Sequence, residues 1–403
     1  MRPPAQRSAA QRFRVGGDGR RSGVATRPRT ARRVAVEAMI AVAGGARANI
    51  VVPVLLAATG LERRDRALVT ELVYGASRMQ RACDWLADRY VRGRTDDEVR
   101  AALRLGVYQL LWTRIPPHAA VSATVAEVRG PGRSLVNAVL RRVAAQLDAG
   151  PVRWPDPATE LSYPDWLVAR LVEDLGPEPA FEALRTMNLP AEMTVRPDGY
   201  VQDLASQMVV EHLGVGSGDV VLDLCAAPGG KATGLGALGA ALVLAAHVSV
   251  ARARVLTANA KQLGLPAVST VVADGAVGPW REGTFDRVLV DAPCSGLGVL
   301  RRRPDARWRV EAGDLGRLAA LQRRLLGAGA RALRPGGNLA YSVCTLSLAE
   351  TAGIDSWLAA ELREWVPLQP PGAPWRPAGR GALLLPQDAG TDGMYLLCLR
   401  APG

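Results

Sequence analysis

Two cysteines in this chain stand where thiol chemistry is possible. Cys294 lies in Asp291-Ala292-Pro293-Cys294-Ser295-Gly296, directly after an apolar run at residues 287–290. Cys344 lies in Tyr341-Ser342-Val343-Cys344-Thr345, directly after another at residues 338–342. Both runs have the residue types of buried strands, so each cysteine falls just past a strand end. A thiolate is a nucleophile that can form a covalent intermediate, and two thiols at strand ends of one sheet can converge on one substrate. A single buried cysteine is ordinarily inert. Two of five at strand ends, beside a ligand-binding turn, depart from that pattern.

The turn is Val220-Val221-Leu222-Asp223-Leu224-Cys225-Ala226-Ala227-Pro228-Gly229-Gly230-Lys231-Ala232-Thr233. Apolar β-formers open it, Pro-Gly-Gly breaks it, and helix-compatible residues resume. Glycine lets a backbone approach a ligand closely, and a helix N-terminus offers unpaired N–H groups. A Walker A loop is excluded, because Ala232 follows Lys231 where that loop needs Ser or Thr. The string Gly234-Leu235-Gly236-Ala237-Leu238-Gly239 mimics a dinucleotide fingerprint but does not directly follow a strand, and no acid stands about 20 residues on. It reads as a decoy inside or just after the first helix. S-adenosylmethionine, a zwitterion on an adenosine, is compatible with this turn, though composition alone does not select it.

The elements that must position these groups begin near Tyr200. Strands expected at 219–225, 241–246, 268–273, 287–290, 338–342 and 395–399 alternate with helices at 203–213, 251–263 and 315–333. That alternation implies an α/β fold with a parallel sheet. Ligand residues belong at the carboxyl ends of such strands. Residues 201–403 are therefore expected to form the catalytic domain. Residues 31–150 show only helical periodicity, with Asp96 as a cap and Pro116-Pro117-His118 opening a helix. They form an expected domain of five to seven helices, in which His118 reads as a cap or packing residue. Residues 151–200 are a proline-broken helical connector. Residues 1–30, rich in Arg, Pro, Ser and Gly, read as a disordered basic tail.

Composition narrows the function classes. The 403 residues allow two or three domains, and 48% hydrophobic content is enough for real cores. No apolar run reaches membrane-spanning length, and the basic N-terminus lacks a signal core. Five cysteines without a CxxC pair and three histidines suggest neither a zinc site nor a disulfide framework. A reducing cytoplasm is expected. The net charge is +12, and only Lys231 and Lys261 among the 50 basic residues are lysines. Arginine-favouring codons would produce such a bias, but clustered guanidinium also suits a polyanion partner. Retention of Lys231 in so arginine-rich a chain points to a need for a compact ammonium there.

Leu224-Cys-Ala-Ala-Pro-Gly-Gly-Lys231, Asp291-Ala-Pro-Cys-Ser-Gly296 and Ser342-Val-Cys344-Thr resemble the motifs of the RNA cytosine-C5 methyltransferases of the RsmB/Sun/Fmu group. The N-terminal half is similar to the NusB-like domain of that family, through Arg64–Gly75, Leu103–Leu111, Pro116–Ala120 and Val136–Arg142. The resemblance covers about residues 31–403. It implies a Rossmann-like S-adenosylmethionine-dependent methyltransferase domain behind an all-α NusB-like RNA-binding domain. It also implies action on RNA, with 16S rRNA the expected target. A monomer is expected, with no membrane and no metal. By resemblance Cys344 is the nucleophile, adding to cytosine C6 so that C5 can take the methyl group. Cys294 helps to remove the C5 proton and release the enzyme. Asp291 holds the Watson–Crick edge of the base or lies beside the methyl donor. Cys225, Ala226, Ala227, Pro228, Gly229, Gly230 and Lys231 line the cofactor pocket, with Asp274 near the adenine, while Asp223 orients the turn. The loop Arg301–Trp308 matches a family loop and is expected to grip RNA phosphate or stack on a base.

Two features depart from the family pattern. His247 stands where an acid usually accepts the ribose hydroxyls, and neutral histidine accepts only one hydrogen bond. Arg196-Pro-Asp-Gly runs almost directly into Tyr200, without the α/β segment usual between them. These departures leave two alternatives: a non-catalytic RNA-binding or assembly factor, or a methyltransferase redirected to tRNA or a small molecule.

Overall fold

The computed structural model describes residues 29–403. The expected basic tail lies, for residues 1–28, outside them. The chain divides into two compact units, Met1–Ser162 and Tyr163–Gly403.

The described part of the first unit is helical: α1 (Ala31–Ala43), α2 (Ala48–Ala57), α3 (Arg63–Arg78), α4 (Gln80–Asp88), α5 (Asp97–Trp112), α6 (Pro117–Val125), α7 (Gly132–Ala149) and the short α8 (Pro157–Glu160). Local chemistry sets the starts. The Thr30 side chain accepts from Arg33 N–H, Asp96 accepts from Val99 N–H, and Pro117 occupies the first turn of α6. One apolar core, including Val34, Met39, Leu72, Leu103 and Leu140, collects the inner faces. α3 and α5 meet at Gly75, where a Cβ would lie 2.0 Å from Cζ of Tyr108. Only glycine permits that approach. His118 is exposed at the start of α6.

The second unit opens with α9 (Asp165–Leu175), α10 (Pro177–Thr186) and α11 (Leu204–His212), the last capped by Asp203. Then come β1 (Val220–Asp223), α12 (Gly230–Ala237), β2 (Leu242–His247), α13 (Val250–Gln262), β3 (Val268–Val272), β4 (Phe285–Asp291), α14 (Ala312–Ala332) and β5 (Leu333–Val343). The chain closes with α15 (Ala352–Glu361), β6 (Val366–Pro367), β7 (Arg376–Ala378), β8 (Gly381–Leu384), α16 (Pro386–Ala389) and β9 (Met394–Arg400). The sheet order is β3-β2-β1-β4-β5-β9-β8-β7, with β6 on β9. The expected parallel sheet is in fact mixed. β3, β2, β1, β4 and β5 are parallel, whereas β9, β8, β7 and β6 add antiparallel. Short links join β7 to β8 and β8 to β9, and such links allow only antiparallel neighbours. The Gly234–Gly239 string falls on α12 and the residues just after it, as expected of a decoy. Among the described residues no helix is long and apolar enough to cross a membrane.

Strand order reverses between β1 and β4, and that is where an α/β sheet opens a crevice at its carboxyl edge. The register aligns Asp223 with Leu289, and Asp291 with Ser342. The turn after β1 and the two cysteine loops therefore leave the sheet at one edge.

Candidate active site

The turn after β1 is held from several sides. Asp223 Oδ1 accepts from Cys225 N–H at 3.2 Å, and Ala226 N–H donates to the Ala246 carbonyl at 2.9 Å. The Asn259 side-chain amide donates to the Pro228 carbonyl at 2.9 Å. Gly229 has φ +111°, and a Cβ there would sit 3.0 Å from Leu256 Cγ, so the turn needs a glycine on both counts. Asp223 is fully buried, and its Oδ2 has no hydrogen-bond partner. Burial first, and Asp291 second, push its carboxyl up to about 7. A buried, unsatisfied carboxylate oxygen beside a helix N-terminus fits a zwitterion that brings both an ammonium and a carboxylate.

The other expected cofactor residues lie at neighbouring strand ends. His247 closes β2, and burial with Arg252 nearby lowers its pKa, which favours the neutral ring. Asp274 follows β3 and accepts from Ala276 N–H at 2.9 Å. The adjoining Gly275 packs so closely on Leu224 that a Cβ would lie 2.8 Å from its carbonyl oxygen. Burial, with Asp223 nearby, holds the Cys225 thiol far above its ordinary value, so it remains protonated. Lys231 lies on the first turn of α12 and turns its ammonium toward Asp291, with Nζ 2.8 Å from Oδ1. Burial alone would lower its pKa; the Asp291 carboxylate outweighs this and raises it.

The two cysteine sulfurs are 3.4 Å apart. Both residues are half-buried. The hydrogen bond from Cys294 lowers the Cys344 thiol; burial and Asp291 oppose it, and Lys231 and Arg303 reinforce it. The same hydrogen bond, together with burial and the Glu350 carboxylate, holds Cys294 well above an ordinary thiol. The Lys231 and Arg303 cations favour a thiolate at Cys344, and the Glu350 carboxylate disfavours one at Cys294.

One expectation fails. The loop Arg301–Trp308 does not present most of its arginines outward. Arg301 donates to the carbonyls of Gly390 (2.6 Å) and Pro190 (3.0 Å). Arg302 pairs with Asp203 (2.6 Å) and Asp392 (3.1 Å). Arg307 is fully buried, 3.8 Å from the Tyr163 ring centroid. Buried guanidinium needs acceptors or an aromatic face, and the surrounding chain supplies both. Arg303, in contrast, is exposed. Sequence reasoning also passed over Glu350, Gln322 and Tyr341, which surround the cysteine loops. An acid in the stretch Thr345-Leu-Ser-Leu-Ala-Glu350, six residues past Cys344, was the available signal.

Comparison with known proteins places this geometry. The family described as "16S rRNA methyltransferase RsmB/F" matches residues 210–400, and the NusB family matches residues 29–145. Rv1407 of Mycobacterium tuberculosis is 36% identical, over 92% of this chain and 96% of its own length. A protein of Salmonella arizonae named ribosomal RNA small subunit methyltransferase B is 33% identical, over 73% of this chain and 82% of its own. The chain belongs to the RsmB/F methyltransferase family. This RsmB/F-family protein is an S-adenosylmethionine-dependent RNA methyltransferase with an N-terminal NusB region. Its fold is shared with the solved structure of PH0851, which covers 93% of this chain and 99% of its own at TM-score 0.75 and 22% identity.

Proposed function

We propose that this methyltransferase modifies C5 of a cytosine in 16S rRNA through a covalent bond between Cys344 and C6. The observation that carries the reading is the 3.4 Å meeting of two thiols beside the Lys231–Asp291 pair, at the sheet edge that bears the cofactor turn. The rRNA target rests on the family description and on the names of the relatives.

Cytosine C5 is a poor nucleophile. Addition of the Cys344 thiolate to C6 forms a C–S bond and shifts the C5–C6 π pair onto C5, in conjugation with C4 and N3, leaving C5 enamine-like. Lys231 and Arg303 favour the attacking thiolate. Asp291, at the end of β4, accepts a hydrogen bond from the base and is held in place by the Lys231 ammonium. Residues 225–231, Asp223, His247 and Asp274 would hold S-adenosylmethionine, which would supply a methyl group activated on a sulfonium. Cys294 then takes the C5 proton, the C5–C6 double bond reforms, and the C–S bond breaks to return Cys344 as thiolate. To act as that base, Cys294 first gives up its own proton to the addition product or to solvent. One proton is released per turnover. A base in a duplex must leave its stack before C6 can be reached. We place the reaction in the cytoplasm, where thiols stay reduced.

The test is incubation with labelled methyl donor and 16S rRNA from cells lacking the protein. Label is expected in 5-methylcytosine. Cys294→Ala is expected to trap a protein–RNA adduct, and Cys344→Ala to lose both adduct and product. A Cys344→Ala protein that still methylates would overturn the assignment. Label confined to tRNA or a small molecule would refute the 16S target, and no label in any acceptor would favour an assembly factor.

A further inference from the structure

Behind the two cysteine loops lies a buried carboxylate that the mechanism above does not use. Glu350 is fully buried, in the short helical turn after Cys344. Its Oε1 accepts from Ser295 N–H at 2.9 Å and from the Gln322 amide at 2.9 Å. Its Oε2 lies 2.5 Å from Ser295 Oγ and 3.2 Å from Thr345 Oγ1. Those two hydroxyls are 2.7 Å apart. The proton arrangement that satisfies all three oxygens has Thr345 O–H donating to Ser295 Oγ and Ser295 O–H donating to Oε2. Ser295 N–H, Ser295 O–H and the Gln322 amide then all donate to Glu350, the environment of an ionised acceptor-only carboxylate, and Thr345 is tied to it through the Ser295 hydroxyl. Burial raises its pKa, and the Ser295 and Gln322 bonds oppose that rise. Gln322 also donates to the Pro293 carbonyl at 3.0 Å, and Tyr341 O–H lies 2.7 Å from the Glu350 carbonyl and 2.9 Å from Gln322 Oε1.

Ser295 adjoins Cys294 and Thr345 adjoins Cys344. We propose that Glu350 is a positioning residue of the reaction: its carboxylate clamps the Ser295 and Thr345 ends of the two cysteine loops, fixing the sulfur–sulfur contact with Cys294 as hydrogen donor and Cys344 as acceptor. This rests on the roles given to the two cysteines above. The charge works with the geometry. Glu350 raises Cys294, whereas Lys231 and Arg303 lower Cys344. The remaining titratable neighbours are Asp291, which raises Cys344, and Tyr341, itself held far above its ordinary value by burial. Without the Glu350 charge, the two thiols lose part of what makes them different. A side chain that only filled space there would not affect which sulfur ionises first.

The readout is the rate of iodoacetamide alkylation at each cysteine against pH, resolved by peptide mass spectrometry. It needs no RNA and no turnover. In the wild type, Cys344 is expected to react with a midpoint below that of Cys294. In Glu350→Gln, the Cys294 midpoint is expected to fall by about one pH unit, and single-turnover methyl transfer to slow by at least about tenfold with the KM for RNA within about twofold. Glu350→Asp, which keeps the charge, is expected to keep the order of the two midpoints and to recover part of the rate. Thermal unfolding checks that each variant is folded. A folded Glu350→Gln with wild-type midpoints refutes the proposal. If that variant does not fold, the proposal falls when Glu350→Asp or the wild type shows Cys294 ionising first. If the alkylation order is as expected but wild-type protein methylates no RNA, the reading of the reaction fails while the role of Glu350 in setting the pair stands.

Discussion

Asp223→Asn should make the free protein more stable and its cofactor site worse, and the gain should grow with pH. Asp223 is fully buried with one oxygen unpartnered, and its folded pKa is raised from 3.8 to about 7. A carboxyl raised on folding leaves stability intact below the unfolded value, near pH 3.8. That stability is lost as pH climbs through the folded value near 7, and the loss is constant above it. The gap between 3.8 and about 7 corresponds to about 4 kcal/mol at pH 8 and about 2 kcal/mol at pH 5. Asparagine carries no charge and keeps a carbonyl for the Cys225 N–H. The advantage of the variant over wild type is therefore expected to rise by about 2–3 kcal/mol between pH 5 and pH 8. For a unit of this size, that is an extra gain in Tm of about 5–10 °C. The assay is calorimetric unfolding of wild type and variant from pH 5 to 8.5, following the transition of the sheet unit. A second series with S-adenosylmethionine should show less ligand stabilisation in the variant, because the oxygen suited to an ammonium is gone. A stability difference that stays flat across this pH range would refute the reasoning.

Three other outcomes follow from the charges at this edge. Lys231→Met removes the ammonium that favours the Cys344 thiolate and pairs with Asp291; the thiolate share near pH 7 should fall about tenfold, read as an upward shift in the pH profile of Cys344 alkylation, and an unchanged profile would contradict the assignment. Arg302→Ala leaves the buried Asp392 and the half-buried Asp203 without their cation and should cost about 2–4 kcal/mol in chemical denaturation, whereas exposed Arg303→Ala should leave stability within about 0.5 kcal/mol and slow alkylation of Cys344. His247→Asp offers two acceptors in place of one and should tighten S-adenosylmethionine about tenfold in calorimetric titration; unchanged or weaker binding would show that residue 247 does not meet the ribose hydroxyls.

What was legible in the sequence was whatever depends on near neighbours. Strand, turn and helix around Asp223–Lys231 could be read because apolar β-formers, Pro-Gly-Gly and helix formers follow in order. Asp96 was readable as a cap because capping is decided within three residues. The antiparallel edge was not readable: β7 and β8 are three and four residues long, and their pairing depends on β9 beyond them. Nor was the fate of the arginine loop, because a run of charge looks the same whether its partners are solvent, phosphate or Asp203 and Asp392. Those partners lie 99 and 90 residues from Arg302. Glu350 was missed for the same reason. Its nearest sequence neighbours are unremarkable, and its meaning comes from Ser295, 55 residues away.

The charges gathered at the sheet edge explain why one lysine survives in a chain built with arginine. Asp291 raises the cost of ionising Asp223, and among the described residues Lys231 enters between the turn and the cysteines to pair with Asp291. A guanidinium there would present a broad planar fork and five donors, most of them without an acceptor in so closed a space. A compact ammonium satisfies Asp291 and still leaves Asp223 unpaired. The carboxylate left over, with Asp291 and the thiolate nearby, makes the crevice a better host for a cation than for an anion. That polarity favours a methyl donor whose reactive centre is a sulfonium. It favours the neutral product less, so the same arrangement that draws the donor in also eases release once the positive charge is gone.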